Sequence, residues 1–158
     1  MERFKIYNII HHDQLGQITL TLAEDNNFLE EMFNRLKGKG IKIKFLAFQQ
    51  EREGSSHLTL CVERGDLKIM EKLLSNHPLK EEAFQINPEA GMVAIYGPHF
   101  VERPGVVDVM HHALSSRGVK ILAISTTIST CCFVVPASQI VLAINILKEV
   151  FEIPQGKV

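Results

Sequence analysis

Pro104-Gly105-Val106-Val107 and, a dozen residues on, Gly118-Val119-Lys120-Ile121-Leu122-Ala123-Ile124-Ser125-Thr126-Thr127 are the stretches that decide the fold. A proline is tolerated in a first helical turn, because the N–H it lacks would have had no partner there. Val106, Val107, Met110, Ala113 and Leu114 then recur at helical spacing and predict one buried stripe. Arg117-Gly118 ends that helix with a cation at its negative end and a residue free to turn the chain. Val119 to Thr127 and Cys131 to Val135 are rich in branched side chains and read as strands. With Met92 to Gly97 as a strand before the loop and a helix starting at Pro136 to Ser138, the segment Gly91 to Ile153 reads strand, helix, strand, strand, helix and a closing strand.

Working outward, Phe4 to Ile10 and Gln17 to Leu22 predict two strands joined by a polar turn, His11 to Gly16. Glu24-Asp25-Asn26 opens a helix whose stripe is Phe28, Leu29, Met32, Phe33 and Leu36, and Gly38 and Gly40 stop it. Ile41 to Phe48 and Leu58 to Val62 predict a hairpin around Gly54; Gly65-Asp66 opens a helix with Leu67, Met70, Leu73 and Leu74. Ala83 to Asn87 predicts a short strand and Pro88-Glu89-Ala90-Gly91 a linker.

The halves repeat. At an offset of 78 residues, Gly40-Ile41-Lys42-Ile43 falls on Gly118-Val119-Lys120-Ile121, Leu36 on Leu114 and Met32 on Met110. Past the hairpins the offset is 73, bringing Leu67 to Ile140 and Leu74 to Leu147, and Phe84-Gln85-Ile86 finally meets Phe151-Glu152-Ile153 at 67. Two copies of one βαββαβ unit predict an α+β, ferredoxin-like fold: antiparallel sheets with helices on one face. The expected boundaries are 1–88 for a first unit with an extra N-terminal hairpin, 91–153 for a second and 154–158 for a tail, with the N-terminal strand free to complete the second unit instead. Ile140, Val141, Leu142, Ala143, Ile144, Ile146 and Leu147 make the last helix apolar nearly all round, which predicts burial on more than one side and hence pairing of units or chains.

Composition narrows the function. Of 158 residues 46% are hydrophobic, enough for a core, and Lys+Arg 17 against Asp+Glu 18 gives a net charge of −1, so nothing global draws the chain to nucleic acid or an anionic membrane. No run approaches the roughly 18 apolar residues of a membrane helix, and Met-Glu-Arg-Phe-Lys does not begin a signal peptide, so a cytoplasmic address is expected. Cys61, Cys131 and Cys132 lack a C-x-x-C spacing and are expected to be reduced. His11-His12 and His111-His112 invite a metal reading, but adjacent helical residues diverge by about 100° and no cysteine or carboxylate completes a set, so no metal and no cofactor is expected. Ser125, Thr126, Thr127 and Ser129 have no base placed to activate a nucleophile, and no P-loop or dinucleotide glycine pattern occurs, so no enzyme is expected.

Ile95-Tyr96-Gly97, Pro104-Gly105-Val106, Ala113-Leu114, Gly118-Val119-Lys120-Ile121, Ile124-Ser125-Thr126-Thr127 and Phe133-Val134-Val135 together resemble the ACT domain, the amino-acid-sensing module of metabolic enzymes. The Ile-Ser-Thr-Thr strand, Ala143 to Leu147 and Phe151-Glu152 are similar to the second ACT unit of aspartokinase regulatory regions, and the first half resembles the preceding unit. That resemblance implies a non-catalytic regulatory module without the kinase domain, sensing a small amino acid (lysine, threonine or another) at a unit interface. It also implies a homodimer, with a catalytic kinase subunit as a partner. The implied ligand residues are Val101, Glu102, Arg103, Pro104, Gly105 and Val106, whose backbone N–H groups at the helix start would hold the carboxylate, with Leu122 and Ser125 from the next strand. Leu122 and Lys44 stand where lysine- or threonine-sensing relatives present an acid or amide, Phe48 replaces a glutamine, and Asn26-Asn27 takes the place of Pro-Gly in the first copy. These departures favour an alternative, a ligand-independent assembly module with decayed effector sites.

Overall fold

The computed structural model describes residues 3–22, 27–76, 84–98, 100 and 103–154. Its elements run β1 (Asn8–Leu22), α1 (Phe28–Gly38), β2 (Phe45–Gln50), β3 (Ser56–Glu63), α2 (Leu67–Ser75), β4 (Phe84–Tyr96), α3 (Val106–Ser115), β5 (Ala123–Thr126), β6 (Thr130–Pro136) and α4 (Ile140–Val150). The chain folds as two compact units, Gln14–Glu89 on one side and Met1–Asp13 with Ala90–Val158 on the other. The long strands β1 and β4 therefore each give one half to one unit and one half to the other.

Within Gln14–Glu89 the strand order is β2-β3-β1-β4. Antiparallel pairing sets Ile18 opposite Leu60 and Leu20 opposite Leu58. Those side chains share one sheet face and bury against Phe28, Met32 and Leu36 of α1 and Leu67, Met70 and Leu74 of α2. In the other unit the order is β1-β4-β6-β5, with Val93 opposite Phe133 and Ile95 opposite Cys131. Here Val106, Met110 and Leu114 of α3 and Ile140, Ala143, Ile146 and Leu147 of α4 close the core. Each fully buried Leu, Ile or Phe contributes about 1.5–3 kcal/mol relative to exposure, so the two apolar clusters carry the stability of their units. Both are ferredoxin-like, with antiparallel sheets backed by helices.

The repeat holds down to single hydrogen bonds. Asn27 O accepts from Glu31 N–H and Gly105 O from Val109 N–H, both at 2.9 Å and 78 residues apart. At the other helix end Ile41 N–H reaches Leu36 O and Val119 N–H reaches Leu114 O, both at 3.0 Å, past Gly40 (φ 69°) and Gly118 (φ 87°). Lys44 N–H to Cys61 O and Leu122 N–H to Val134 O, both at 2.8 Å, begin the pairing of each edge strand. A short 3-10 turn precedes each second helix, Arg64–Asp66 before α2 and Ala137–Gln139 before α4.

Three readings are corrected. The hairpin expected over Phe4 to Leu22 does not form; β1 runs unbroken from Asn8 to Leu22, with Asp13 and Gln14 exposed and Leu15 to Ile18 buried. Gly16 serves no turn there, since a Cβ on it would collide with the side chain of Leu67. The expected linker Pro88 to Gly91 lies inside β4, where Pro88 needs no N–H partner and its carbonyl accepts from Arg64 Nε at 2.6 Å; Ala83 falls outside the described residues. Phe33, expected in the buried stripe of α1, is exposed.

Gly91 mirrors Gly16: a Cβ there would stand 2.7 Å from Ile140 side-chain carbons and 3.0 Å from the His12 carbonyl oxygen. Gly91→Ala is expected to cost about 1–3 kcal/mol by overpacking. Gly38→Ala, where nothing lies within 4 Å, is expected to gain about 0.4–1 kcal/mol by restricting the unfolded chain. Denaturant midpoints of the two variants, shifted in opposite directions, check both.

Candidate functional site

Pro104 and Gly105 bring the chain into α3. Pro104 supplies no N–H, and Gly105, the residue before the helix, adopts φ 99°, ψ −3°, a left-handed conformation that costs an L side chain about 1–2 kcal/mol. The first helical bond is Val109 N–H to Gly105 O, and no side chain caps the helix. The N–H groups of Val106, Val107 and Asp108 thus belong to the uncapped first turn, at the positive end of the helix dipole.

An open pocket of about 380 Å³ lies at this end, bounded by Phe100, Arg103 and Pro104 to Asp108 from the loop and helix, and by Thr126, Thr127, Thr130 and Cys131 from the β5–β6 hairpin. The volume suits a small metabolite. Thr127 Oγ1 accepts from Thr130 N–H at 3.1 Å, while its N–H donates to Thr130 O at 2.8 Å; that turn leaves the hydroxyl proton available to an acceptor. Among the described residues Asp108, exposed in the first turn, is the carboxylate of the wall, and the Arg103 guanidinium is its cation. Arg103 lies over the Phe4 ring, 4.6 Å from its centroid. The pocket can hold an anion at the helix end, an ammonium near Asp108 and an apolar group against Phe100, Val106 and Val107.

Of the residues named from sequence, Arg103, Pro104, Gly105 and Val106 meet in this pocket. Leu122 and Ser125 do not line it. Ser125 is paired with Cys132, and neighbouring strand residues alternate, so it faces away from the side that presents Thr126 and Cys131. Val101 and Glu102 fall outside the described residues, as does Asn26. The wall also includes Asp108, Thr130, Cys131 and Phe100, which carry no ligand signal in the sequence, and Val107, which fits the buried stripe by spacing but is 38% exposed. Asp108 had one available clue: at the repeat offset it falls on Glu30, and both are first-turn acids.

Among the described residues no group of three or more His, Cys, Asp or Glu is placed to hold a metal, and no helix is long and apolar enough to cross a membrane. Cys61 and Cys131 are buried, which pushes each thiol up to about 12; Cys132, half-buried, is raised by the same cause.

Residues 93–151, within the second unit, match the family model of the ACT domain, and the first unit repeats the second's fold. Over nearly its whole length the chain resembles the regulatory part of aspartokinases. It is 22% identical over 151 residues to the aspartokinase of Bacillus sp. (strain MGA3), an alignment covering 94% of this chain and 37% of that protein. The regulatory subunit of aspartate kinase from Thermus thermophilus, in a ligand-free form, superposes with a TM-score of 0.78 at 20% identity, covering 93% of this chain and 99% of that one. Aspartate kinase from Synechocystis gives 0.81 at 17% identity, covering 97% and 28%. The chain thus spans 37% of the length of its curated relative.

Thiol reactivity tests the burial of the cysteines. At about pH 8, Cys61 and Cys131 should be inert to a thiol reagent in the folded protein and react once guanidinium unfolds it. The folded thiols hold their protons above the ordinary value of 9.0, so their contribution to stability is complete below pH 9 and declines as pH rises toward 12. Denaturation midpoints across that window should fall with pH, and less steeply in Cys131→Ser.

Proposed function

We propose that this chain is the regulatory, amino-acid-sensing part of an aspartokinase-type system, and that its pocket at the start of α3 takes a small zwitterion. The observation that carries this reading is the left-handed Gly105, which leaves the first-turn donors of α3 uncapped on a pocket of about 380 Å³. The ligand carboxylate lies at the helix end, where backbone N–H groups and the dipole act together. Its ammonium is held by Asp108 and by threonine hydroxyls, and its side chain lies against Phe100, Val106 and Val107. A paired unit supplies the remaining contacts, in a homodimer that works in the cytoplasm. The regulated partner is a catalytic aspartokinase domain or subunit; similarity over 99% of a regulatory subunit supports that direction. Control follows from differential ligand affinity between two arrangements of the assembly.

A second reading, a ligand-independent assembly module, draws support from Leu122 and Ser125 lying away from the pocket, and from the apolar Leu46, Phe48, Ile128 and Val141, which are exposed in this chain. It predicts a stable dimer that no amino acid affects.

A thermal-shift and calorimetric screen of the common amino acids separates the two. A cognate ligand at about a hundred times its Kd stabilises by about 2.7 kcal/mol, which for a chain of this size raises Tm by about 5–10 °C. A rise with one or two amino acids and not their enantiomers supports the sensor; an unmoved Tm across the whole set removes it.

A further inference from the structure

We propose that Phe4 is a positioning residue for this pocket: its ring holds the Arg103 guanidinium at the rim, ready to receive a carboxylate. The inference rests on the sensor reading and assigns it a residue about a hundred positions from the glycine loop. Arg103 lines the pocket and stacks 4.6 Å from the Phe4 centroid. Among the described residues no carboxylate is in ion-pair range of it, and a stacked ring orients a guanidinium while leaving its charge intact. A long cation must give up rotamer freedom when it binds an anion, and stacking beforehand removes part of that cost.

Phe4 is itself held. Its carbonyl accepts from Glu152 N–H at 2.9 Å, the Ile6 N–H returns to Glu152 O at 2.9 Å, and its ring packs on Phe151 with centroids 6.5 Å apart. It also lies 3.9 Å from where a Cβ on Gly105 would stand. One aromatic ring therefore backs both the cation and the residue that exposes the helix donors.

The test uses the full chain and acetate as the probe, titrated while the amide NMR signals of Gly105, Val106 and Val107 and the Arg103 Nε–H signal are followed. In the wild type the Arg103 side-chain signals should carry an upfield ring-current shift, and acetate should move the amides. Phe4→Leu should abolish the ring-current shift and weaken acetate binding by about two- to fivefold, while Phe4→Tyr keeps both. In an Arg103→Gln background, Phe4→Leu should have no further effect on acetate, which a merely structural role for the ring would not predict. The proposal is overturned by equal acetate affinity in wild type and Phe4→Leu, by the same weakening with Gln at 103, by an unshifted Arg103 signal in the wild type, or by no acetate response at all. Acetate binding that depends on Phe4 together with a flat amino-acid screen would sink the sensor reading alone.

Discussion

Three main-chain hydrogen bonds near the start of the chain carry more of this structure than their number suggests. Ile6 N–H to Glu152 O, Glu152 N–H to Phe4 O and Tyr7 N–H to Tyr96 O tie residues 4–7 between the end of β4 and the segment after α4. A strand edge left bare would expose a row of unpaired donors and acceptors, and in this unit the N-terminal residues fill that place. Ile6 enters the apolar cluster beside Phe133 and Phe151, and Phe4 arrives beneath the α3 loop. The unit that holds the pocket is thus closed by residues from the opposite end of the chain.

The alternation of elements was legible because helices and strands obey different periods and because the duplication repeats the capping chemistry. Gly40 and Gly118 stop their helices in the same way, and Ile41 and Val119 return to the same carbonyl one turn back. Such positions depend on backbone geometry that few residues can supply, so they survive when most side chains have changed. The hairpin and the linker were misread for the converse reason. A polar run with a glycine is a turn signal by composition, yet in β1 the polar residues mark solvent-facing positions, and the missing side chain of Gly16 makes room for a helix residue far along the chain. Local sequence does not encode that neighbour.

The pocket divides along the same line. Pro104, Gly105 and Val106 could be named because their pattern resembles that of the ACT domain, and a residue without a side chain lets a ligand approach the backbone closely. Thr126 and Thr127 were legible as hydroxyls for hydrogen bonding near a ligand or across a sheet, and the β5–β6 hairpin sets them in the pocket wall. Val107 fitted the apolar stripe by spacing, but a stripe is wider than the surface that covers it, and the first turn of α3 is where cover ends. Phe4 carried no signal at all, since the contact with Arg103 exists only once the termini of the unit have met.

The two copies also differ at the one residue where the repeat matters for chemistry. Asn27 and Gly105 occupy the same place and accept the same helical bond, yet Asn27 stands at φ −126° and Gly105 at 99°. Neither helix has a side-chain cap; the difference is that Gly105, at a φ that an L side chain rarely adopts, presents no side chain at the entry, where Asn27 does. Both settings end in a well-formed helix, so the fold is indifferent to the choice. Duplication has preserved the scaffold, and in the second copy a bare glycine entry and a cation stacked on an aromatic ring stand at the helix start. Fold and pocket here rest on different atoms: buried apolar side chains and helix ends make the first, and the first turn of α3 with its immediate neighbours lines the second.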